Sequence, residues 1–313
     1  MVNLALIGCG SHCRGNHATA LAHYAKAHPD RLTLSAVCDL DRDLAASFAS
    51  EYGFVNVYTD YVEMLEAESL DGVVAVMPIE HTSALAIDLL RRGMPTTVEK
   101  PMGYTLDEVK EIVAVAKETG TANMVSVNRR FEPMLRRGVD WVREQGPIRY
   151  ARASILRHNR REDFFVSGTG IHCIDTLREI GGDFERYEKK TLEGETPWYH
   201  VDFDYASGAS ATLDILTSDG SVEEGYEIFG EGYRVDIRVE GSADPHLLCW
   251  KDNELVVEER SEKNEPAYIR LGPYGETHEF VTALASGRKP WPSVEEVYPS
   301  VEAAYVLDPS KET

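Results

Sequence analysis

The sequence predicts an α/β fold with two domains: first a doubly wound parallel sheet, then an α+β domain with a large, open, mostly antiparallel sheet. Short apolar strands alternate with helices up to about residue 125, which is typical of βαβ units. From about residue 126 the pattern changes, and runs that alternate polar and apolar residues predict antiparallel strands with one solvated face. The length of 313 residues fits two domains.

The parallel half consists of short apolar runs that end at turn residues and precede segments with helical spacing. Gly53 is placed to end one helix in the left-handed conformation, and Thr105 to cap the start of another. The predicted strands are residues 3–7, 32–38, 55–58, 72–77, 94–98 and 123–127, and the predicted helices are residues 17–27, 44–52, 61–67, 82–92 and 105–118.

The second half begins with a predicted helix and a half-exposed strand, at residues 131–144 and 149–157. A helix at 172–180 ends at paired glycines, and period-two runs then extend from residue 191 to residue 257. Turn residues separate those runs, namely Gly208, Asp219-Gly220, Gly230 and Asp252-Asn253. Two further helices are predicted at 276–285 and 298–307, the second with Pro299 in its first turn.

The charge balance excludes some classes of partner. Asp and Glu total 53 against 32 Lys and Arg, a net charge of −21, whereas proteins that bind nucleic acid or anionic membranes depend on clustered positive charge. The sequence shows no signal peptide and no apolar run long enough to span a membrane, so we expect a cytoplasmic protein without nucleic-acid or membrane partners. Five scattered cysteines form no disulfide framework.

A glycine-rich turn follows the first predicted strand and opens a helix. Gly8 and Gly10 form a G-x-G pattern, in which the first glycine permits the tight turn and the second lets a pyrophosphate approach the backbone. The amides and the dipole at the start of the helix favour an anion there. The third glycine of the motif is out of register, since Cys13 occupies its position, so the turn is a variant of the dinucleotide-binding pattern.

Asp39 ends the second predicted strand, where a carboxylate can accept hydrogen bonds from both hydroxyls of the adenosine ribose. Asp39 and Asp41 would repel a 2′-phosphate, so NAD is favoured over NADP, although the nearby Arg42 could pair with that phosphate. These observations predict a Rossmann dinucleotide-binding domain in residues 1–125. We expect no metal there, because no tetrahedral zinc pattern fits the spacing of Cys9, His12, Cys13 and His17.

A lysine follows the fifth predicted strand, in the sequence Glu99-Lys100-Pro101. Ligands of open α/β sheets bind beyond the carboxyl ends of the strands, so Lys100 faces the nicotinamide end of the expected cleft. Its ammonium group can hold a substrate hydroxyl and stabilise the alkoxide that develops as hydride leaves. Pro101 stiffens the turn by restricting its backbone.

A series of motifs resembles the family of glucose–fructose oxidoreductases and inositol dehydrogenases (Gfo/Idh/MocA). In order, they are the G-x-G turn, Asp39, "MPIEH" at 77–81, "VEKPMGYTLDE" at 98–108, "NRRFEP" at 128–133 and "GIHCID" at 170–175. The resemblance covers nearly the whole chain. It implies NAD(P)-linked oxidation of a ring hydroxyl on a sugar or cyclitol, or reduction of the matching ketone. It also implies that residues 126–313 bind the substrate and mediate assembly into a homodimer or homotetramer.

The resemblance also assigns residues to roles. Lys100 matches the catalytic lysine, and His172 matches the histidine that exchanges the hydroxyl proton, a task for which an imidazole is the right chemical type. Asp175, on the same helical face as His172, matches a second polar residue of the substrate pocket. The predicted cofactor contacts are Gly8, Gly10, Ser11, His12, Asp39, Pro78, His81, Glu99, Lys100 and Asn128.

One position departs from the family pattern. Many dehydrogenases of this family carry an aspartate four residues before the histidine, and Gly168 occupies that position here. Either catalysis uses Lys100 and His172 with help from Asp163 or Asp175, or the hydride chemistry is weak, redirected or absent. The alternatives to a dehydrogenase are therefore a non-catalytic dinucleotide-binding regulator and a glycosidase or lyase that retains NAD.

The basic residues are mostly arginine, with 22 Arg against 10 Lys. Several flank the motifs that line the family's pocket, namely Arg129, Arg130, Arg157, Arg160 and Arg161, together with His158. Since a guanidinium group binds carboxylates and phosphates with a fork of donors, Arg130 and Arg157 predict an acidic substrate such as a uronate. The alternative is that these arginines pair with acids such as Glu132, Glu162 and Asp163.

Overall fold

The computed structural model describes residues 1–239, 241–261, 265–308 and 310, and it confirms the predicted fold class. A six-stranded parallel sheet and an eight-stranded, mostly antiparallel sheet are both present. The chain divides into two compact units, one formed by Met1–Phe131 with Ala267–Tyr298 and the other by Glu132–Pro266 with Pro299–Thr313. The assignment of the dinucleotide to residues 1–125, and of substrate and subunit contacts to residues 126–313, stays a prediction.

The parallel sheet of the first unit has the strand order β3-β2-β1-β4-β5-β6. The order reverses between β1 and β4, and the crevice at such a reversal is where doubly wound sheets bind their ligands. The strands are β1 (Val2–Ile7), β2 (Leu32–Cys38), β3 (Asn56–Tyr58), β4 (Gly72–Ala75), β5 (Thr96–Glu99) and β6 (Asn123–Ser126).

Helices connect these strands and cover both faces of the sheet. They are α1 (Ser11–Cys13), a π-helical turn (Arg14–Ala18), α2 (Thr19–Ala27), α3 (Arg42–Tyr52), α4 (Tyr61–Ala67), α5 (Ile79–Arg91) and α6 (Leu106–Thr119). A 3₁₀ turn (Asn128–Phe131) follows β6, and α9 (Ala267–Arg270) and α10 (Pro273–Ser286) also belong to this unit.

The sequence explains where these elements begin, end and pack. Thr105 and Glu108 form a reciprocal capping box at the start of α6, and Gly53 ends α3 with a φ of 86°. Alternate residues of β1 face opposite sides of the sheet, so that Leu4 lies in one apolar cluster and Ala5 in another. Together these features hold the carboxyl ends of the parallel strands at one edge.

The sheet of the second unit has the order β14-β13-β12-β11-β7-β10-β9-β8, and only β7 and β10 run parallel. Ala153 and Ile155 of β7 are buried beneath helices of the unit, whereas Arg152 on the opposite face is exposed. The helices are α7 (Pro133–Gln145), α8 (Ile171–Gly181) and the part of α11 (Val294–Leu307) that follows Tyr298, with a π-helical turn (Val166–Gly170) before α8. The strands are β7 (Ile148–Leu156), β8 (Phe184–Leu192), β9 (Trp198–Tyr205), β10 (Ser210–Leu216), β11 (Glu223–Gly230), β12 (Tyr233–Arg238), β13 (His246–Lys251) and β14 (Glu254–Arg260).

Three differences from the predictions have a clear physical reason. The first helical segment begins at Ser11 rather than at residue 17, and Gly15 and Asn16, which disfavour helix, lie in its π-helical turn. Strand β8 was not predicted in full, because charged residues along this edge strand obscure its alternation. Helix α11 begins at Val294, after a reciprocal cap between Ser293 and Glu296, so Pro299 lies inside the helix and not in its first turn.

Among the described residues, none of the helices has the length and apolar character needed to cross a membrane.

Candidate active site

The glycine-rich turn after β1 needs glycine at its first position for two reasons. Gly8 has a φ of +92°, and a Cβ there would lie 2.0 Å from the carbonyl oxygen of Val76. By contrast, a Cβ at Gly10 would meet no other atom within 4 Å, so this side of the turn is open. Gly10 precedes α1 and provides no side-chain cap for it. The open side of the turn at Gly10 therefore lets a pyrophosphate approach the backbone amides closely.

Asp39 is held beside this turn by backbone hydrogen bonds. Its Oδ2 accepts from the N–H of Cys9 at 2.7 Å, and its Oδ1 accepts from the N–H of Asp41 at 2.9 Å. Asp41 in turn caps α3 by accepting from the N–H groups of Asp43 and Leu44. The side chain of Asp39 is half-buried, and the geometry fits a carboxylate oriented to accept ribose hydroxyls.

Further predicted cofactor residues follow β4 and β6 at the same edge of the sheet. Pro78 precedes α5, and His81 lies in the first turn of that helix with an exposed side chain. Asn128 begins the 3₁₀ turn after β6, and its Nδ2 donates to the carbonyl oxygen of Leu271 at 2.8 Å. The structure thus places the predicted cofactor residues within the first unit.

Glu99 is a buried carboxylate that receives hydrogen bonds from two histidines of the glycine-rich segment. Nε2 of His12 lies 3.4 Å from Oε1 of Glu99, and Nε2 of His17 makes a short contact with the same oxygen. Burial alone would raise the pKa of Glu99, but the hydrogen bonds from His12 and His17 and their electrostatic attraction outweigh it and hold the pKa well below its usual range. Glu99 is therefore ionised.

His12, His17 and Glu99 also form a group whose potential metal-ligating atoms all lie within 4.8 Å of one another. Asn16 Nδ2 donates towards Nδ1 of His12, which leaves the ring hydrogen on Nε2, facing Glu99. A metal ligand would need a lone pair on that nitrogen. The thiol of Cys9 is also a poor ligand, because burial, together with the charge of Asp39, raises its pKa to about 12. This geometry favours hydrogen bonds to Glu99 over a metal site.

Lys100 follows directly after β5, and its backbone N–H donates to Oε2 of Glu99 at 3.1 Å. A second acid, Glu276 of α10, interacts electrostatically with both residues. Ser126 at the end of β6 hydrogen-bonds Glu276 and pairs in register with Glu99. The carboxyl ends of β5 and β6 therefore bring a lysine and two acids together inside the first unit.

In the second unit, α8 carries His172 and Asp175 on one face, and both are buried. Ser300 of α11 donates a 2.7 Å hydrogen bond to Oδ1 of Asp175. This bond fixes one carboxylate oxygen of Asp175 one helical turn from His172. The predicted pair therefore lies together on α8, as its spacing implies.

Gly168 lies in the π-helical turn immediately before α8. A Cβ at this position would lie 3.1 Å from Cδ2 of Phe164, so an aspartate here requires that ring to shift slightly. The two acids considered as substitutes differ in setting, because Asp163 is exposed whereas Asp175 is buried. Asp175 is thus the acid positioned on the face of His172.

The two arginines predicted to bind substrate already contact other groups. The guanidinium of Arg130 lies 5.1 Å from the centre of the Trp291 ring, in a cation–π arrangement. Arg157 donates from Nη2 to Oε2 of Glu224 at 3.0 Å, and both side chains are buried. Arg160 and Arg161 pair with Glu162 and Glu195. Three of the four arginines, Arg157, Arg160 and Arg161, therefore pair with acids of the protein itself.

Sequence reasoning missed Glu276, Ser126 and the contact of His17 with Glu99. Glu276 stands four residues before Phe280, so the two share one face of α10, and both are buried. An acid on the apolar face of a predicted helix is a signal that could have identified it. Ser126 and His17 have no comparable sequence signal.

Known proteins resemble this chain in sequence and in fold. Residues 2–128 match the model of the GFO_IDH_MocA family, described as an oxidoreductase family with an NAD-binding Rossmann fold. The D-apiose dehydrogenase of Paraburkholderia graminis is 30% identical over 200 residues, which are 60% of this chain and 52% of that protein. The aligned part thus spans about half the length of this relative.

Solved structures share the fold over nearly the whole chain. A dehydrogenase from Chromobacterium violaceum superposes with a TM-score of 0.85 at 18% identity, covering 98% of this chain and 94% of that one. A levoglucosan dehydrogenase in complex with NADH and levoglucosan has a TM-score of 0.81 at 19% identity, covering 100% and 98%. Residues 2–128 thus match the Gfo/Idh/MocA oxidoreductase family, and the solved structures share the fold over nearly the whole chain.

Proposed function

We propose that the protein is an NAD-dependent dehydrogenase that oxidises a ring hydroxyl of a sugar or cyclitol, or reduces the matching ketone. The observation that carries the proposal is the placement of Lys100 at the carboxyl edge that also holds Gly8, Gly10 and Asp39. Relatives named as D-apiose and inositol dehydrogenases support a polyhydroxylated substrate. We also propose that the protein is a homodimer or homotetramer.

The chemical roles follow from the residue types. When bound, NAD accepts the hydride, and the protein supplies binding, orientation and electrostatics. Lys100 holds the substrate oxygen and stabilises the negative charge that develops on it. His172 takes the hydroxyl proton, and Asp175, fixed by Ser300, lies on the same helical face to orient the imidazole or a neighbouring hydroxyl.

The preference for NAD over NADP rests on the first unit. The carboxylate of Asp39 is fixed by two amides, and a 2′-phosphate at that position would meet its negative charge. Arg14, a cation of the glycine-rich segment, contacts Glu51 and lies 4.5 Å from the centre of the Phe48 ring. Those contacts engage its guanidinium elsewhere, which supports NAD as the cofactor.

The proposal is tested by following the absorbance of NADH or NADPH with a panel of neutral sugars, uronates and cyclitols. We expect turnover with NAD and at least one member of the panel, and loss of that turnover in His172→Asn with His23→Asn as the matched control. His23 is exposed and stacks on Tyr268 in the first unit, so its replacement leaves His172 untouched. An acidic substrate would give a lower KM for uronates than for the neutral sugars.

Two outcomes would replace the proposal with another function. Tight NAD binding without turnover across the panel would favour a dinucleotide-binding regulator. Release of an aglycone or elimination product without net NADH would favour a glycosidase or lyase that retains NAD.

A further inference from the structure

Glu276 is a buried acid that the proposed function does not use. It lies in the first turn of α10, and only 3% of its surface is exposed. The hydroxyl of Ser126 lies 3.1 Å from each of its two carboxyl oxygens. Ser126 pairs in register with Glu99, the residue before Lys100. A single hydroxyl therefore links Glu276 to the strand next to the lysine turn.

The start of α10 reaches this position because it packs closely on the 3₁₀ turn after β6. A Cβ at Gly275 would lie 2.9 Å from Cβ of Phe131 and 3.2 Å from its carbonyl oxygen, so glycine permits the approach. Further along α10, Phe280 is buried in the apolar cluster that contains Leu4. The helix is therefore fixed by packing, and its orientation directs Glu276 towards Ser126.

The surroundings of Glu276 disfavour a charge on it. Burial raises its pKa well above the usual range, and the negative charge of Glu99 raises it further. The Ser126 hydrogen bond, Lys100 and Arg129 act in the opposite direction without cancelling the rise. A cavity of about 10 Å³ beside Glu276, lined also by His17, has room for one water molecule at most. Bulk water therefore does not hydrate this carboxyl group.

We propose that Glu276 is a positioning residue for Lys100: as an uncharged acid bonded to Ser126, it fixes the ends of β5 and β6 behind the lysine. This proposal rests on the proposed function, because it takes Lys100 to be the catalytic lysine. A charged carboxylate here would attract the ammonium group and withdraw it from a substrate oxygen. A neutral acid keeps the hydrogen bond to Ser126 without adding a further negative charge beside Lys100.

The protonation state is tested first, by infrared spectroscopy of the purified protein in deuterated buffer at neutral pH. We expect the carbonyl band of a protonated carboxylic acid in the wild-type protein and its loss in Glu276→Gln. Glu279→Gln is the matched control, since Glu279 lies on the same helix and accepts from Arg288 Nη2 at 2.6 Å, and this variant should keep the band. A wild-type protein without the band, or a Glu276→Gln variant that keeps it, would overturn the proposal.

The positioning role is tested by competitive labelling of Lys100 with an amine reagent, read by mass spectrometry across a range of pH. Each variant is first checked for cooperative thermal unfolding. Glu276→Gln should follow the wild-type labelling profile, because both side chains are neutral and can bond Ser126. Glu276→Leu and Ser126→Ala remove that hydrogen bond, and Lys100 should label about threefold faster or more as the turn opens. A shift of the Glu276→Gln profile to lower pH, or wild-type labelling in both folded deletion variants, would contradict the proposal.

Turnover, once a substrate is known, supplies a third readout. Glu276→Leu should lower kcat about tenfold or more while the Kd for NADH stays within about twofold, and Glu276→Gln should recover most of kcat. A folded Glu276→Leu with the wild-type kcat would count against positioning. Absence of turnover in the wild-type protein would refute the proposed dehydrogenase, whereas the infrared and labelling results judge Glu276 independently.

Discussion

The backbone N–H of Cys9 donates a 2.7 Å hydrogen bond to Oδ2 of Asp39, 30 residues further along the chain. Cys9 belongs to the turn after β1, and Asp39 follows β2, which lies next to β1 in the parallel sheet. Because the N–H of Asp41 also binds this carboxylate, its orientation is set by the protein itself. Such pre-organisation lowers the cost of binding a ribose.

Replacement of Asp39 by Ala should weaken NADH binding by about tenfold to a hundredfold, since charge-assisted hydrogen bonds to the ribose are lost. The affinity for NADPH should fall less or rise, because the charge that repels a 2′-phosphate is removed. Asp43→Asn, an exposed acid in the first turn of α3, is the matched control and should bind both cofactors as the wild-type protein does. Titration by NADH fluorescence checks this, and equal losses for the two cofactors would contradict the assigned role of Asp39.

Lys100→Met should reduce kcat by about a thousandfold, because the group that stabilises the developing alkoxide is removed. The Kd for NADH should change by less than about threefold, since the other cofactor contacts remain. Lys110→Met, which removes an exposed lysine of α6 that contacts Asp107, is the control. Steady-state kinetics and fluorescence titration give the two values, and a Lys100→Met enzyme with normal turnover would refute the catalytic assignment.

Arg157→Leu should lower the free energy of unfolding by about 3–5 kcal/mol, because Glu224 would remain buried without its cation. The double variant Arg157→Leu with Glu224→Leu should lose less than the single variant. Arg160→Leu, which breaks the more exposed pair with Glu162, should cost about 1 kcal/mol or less. Denaturant unfolding measures these values. Wild-type stability in Arg157→Leu together with a higher KM for uronates would instead identify Arg157 as a substrate ligand.

The stability of the protein should depend on pH through Glu276. The unfolded chain releases the proton of this acid near pH 4.5, whereas the folded protein retains it to higher pH, so a rise in pH favours unfolding in that window. Compared with Glu276→Gln, the free energy of unfolding of the wild-type protein should therefore fall by up to about 1.4 kcal/mol for each pH unit above pH 4.5. Glu99 has the opposite effect, and it has it in both the wild-type protein and Glu276→Gln. Because the pKa of Glu99 is low in the folded state, its contribution to the free energy of unfolding is lost as the pH falls below the unfolded-state pKa of 4.5.

Urea unfolding of both proteins at several pH values between about pH 5 and pH 8 measures this difference. Glu279→Gln controls for the loss of a glutamate from α10. Parallel stability curves for the wild-type protein and Glu276→Gln would show that Glu276 is ionised in the folded state.

The parallel half of the fold could be predicted from the sequence because its signals are local. Each apolar strand ends at a turn residue, and each helix has its own cap, as Thr105 and Glu108 show at α6. The same logic placed Gly8 and Asp39 at strand ends, where the structure has them. The start of the first helix was predicted too late, because Gly15 and Asn16 oppose the helical pattern that packing imposes.

Contacts between distant segments could not be predicted in the same way. Ser126 and Glu276 are separated by 150 residues, and no spacing rule relates them. The pairing of Arg157 with Glu224 depends on the register of β7 and β11, which a single sequence does not reveal. The residue types near a motif therefore indicated which chemistry the site could perform. The residue that pairs with each charged side chain could be identified only from the folded structure.

Direct hydride transfer from the substrate to the nicotinamide is best tested with a deuterated substrate. A substrate from the panel is deuterated at the carbon that bears the reacting hydroxyl, and the NADH formed is isolated and analysed by mass spectrometry. Direct hydride transfer predicts one deuterium in each NADH molecule. Unlabelled NADH, with the deuterium released to water or retained in the product, would contradict it.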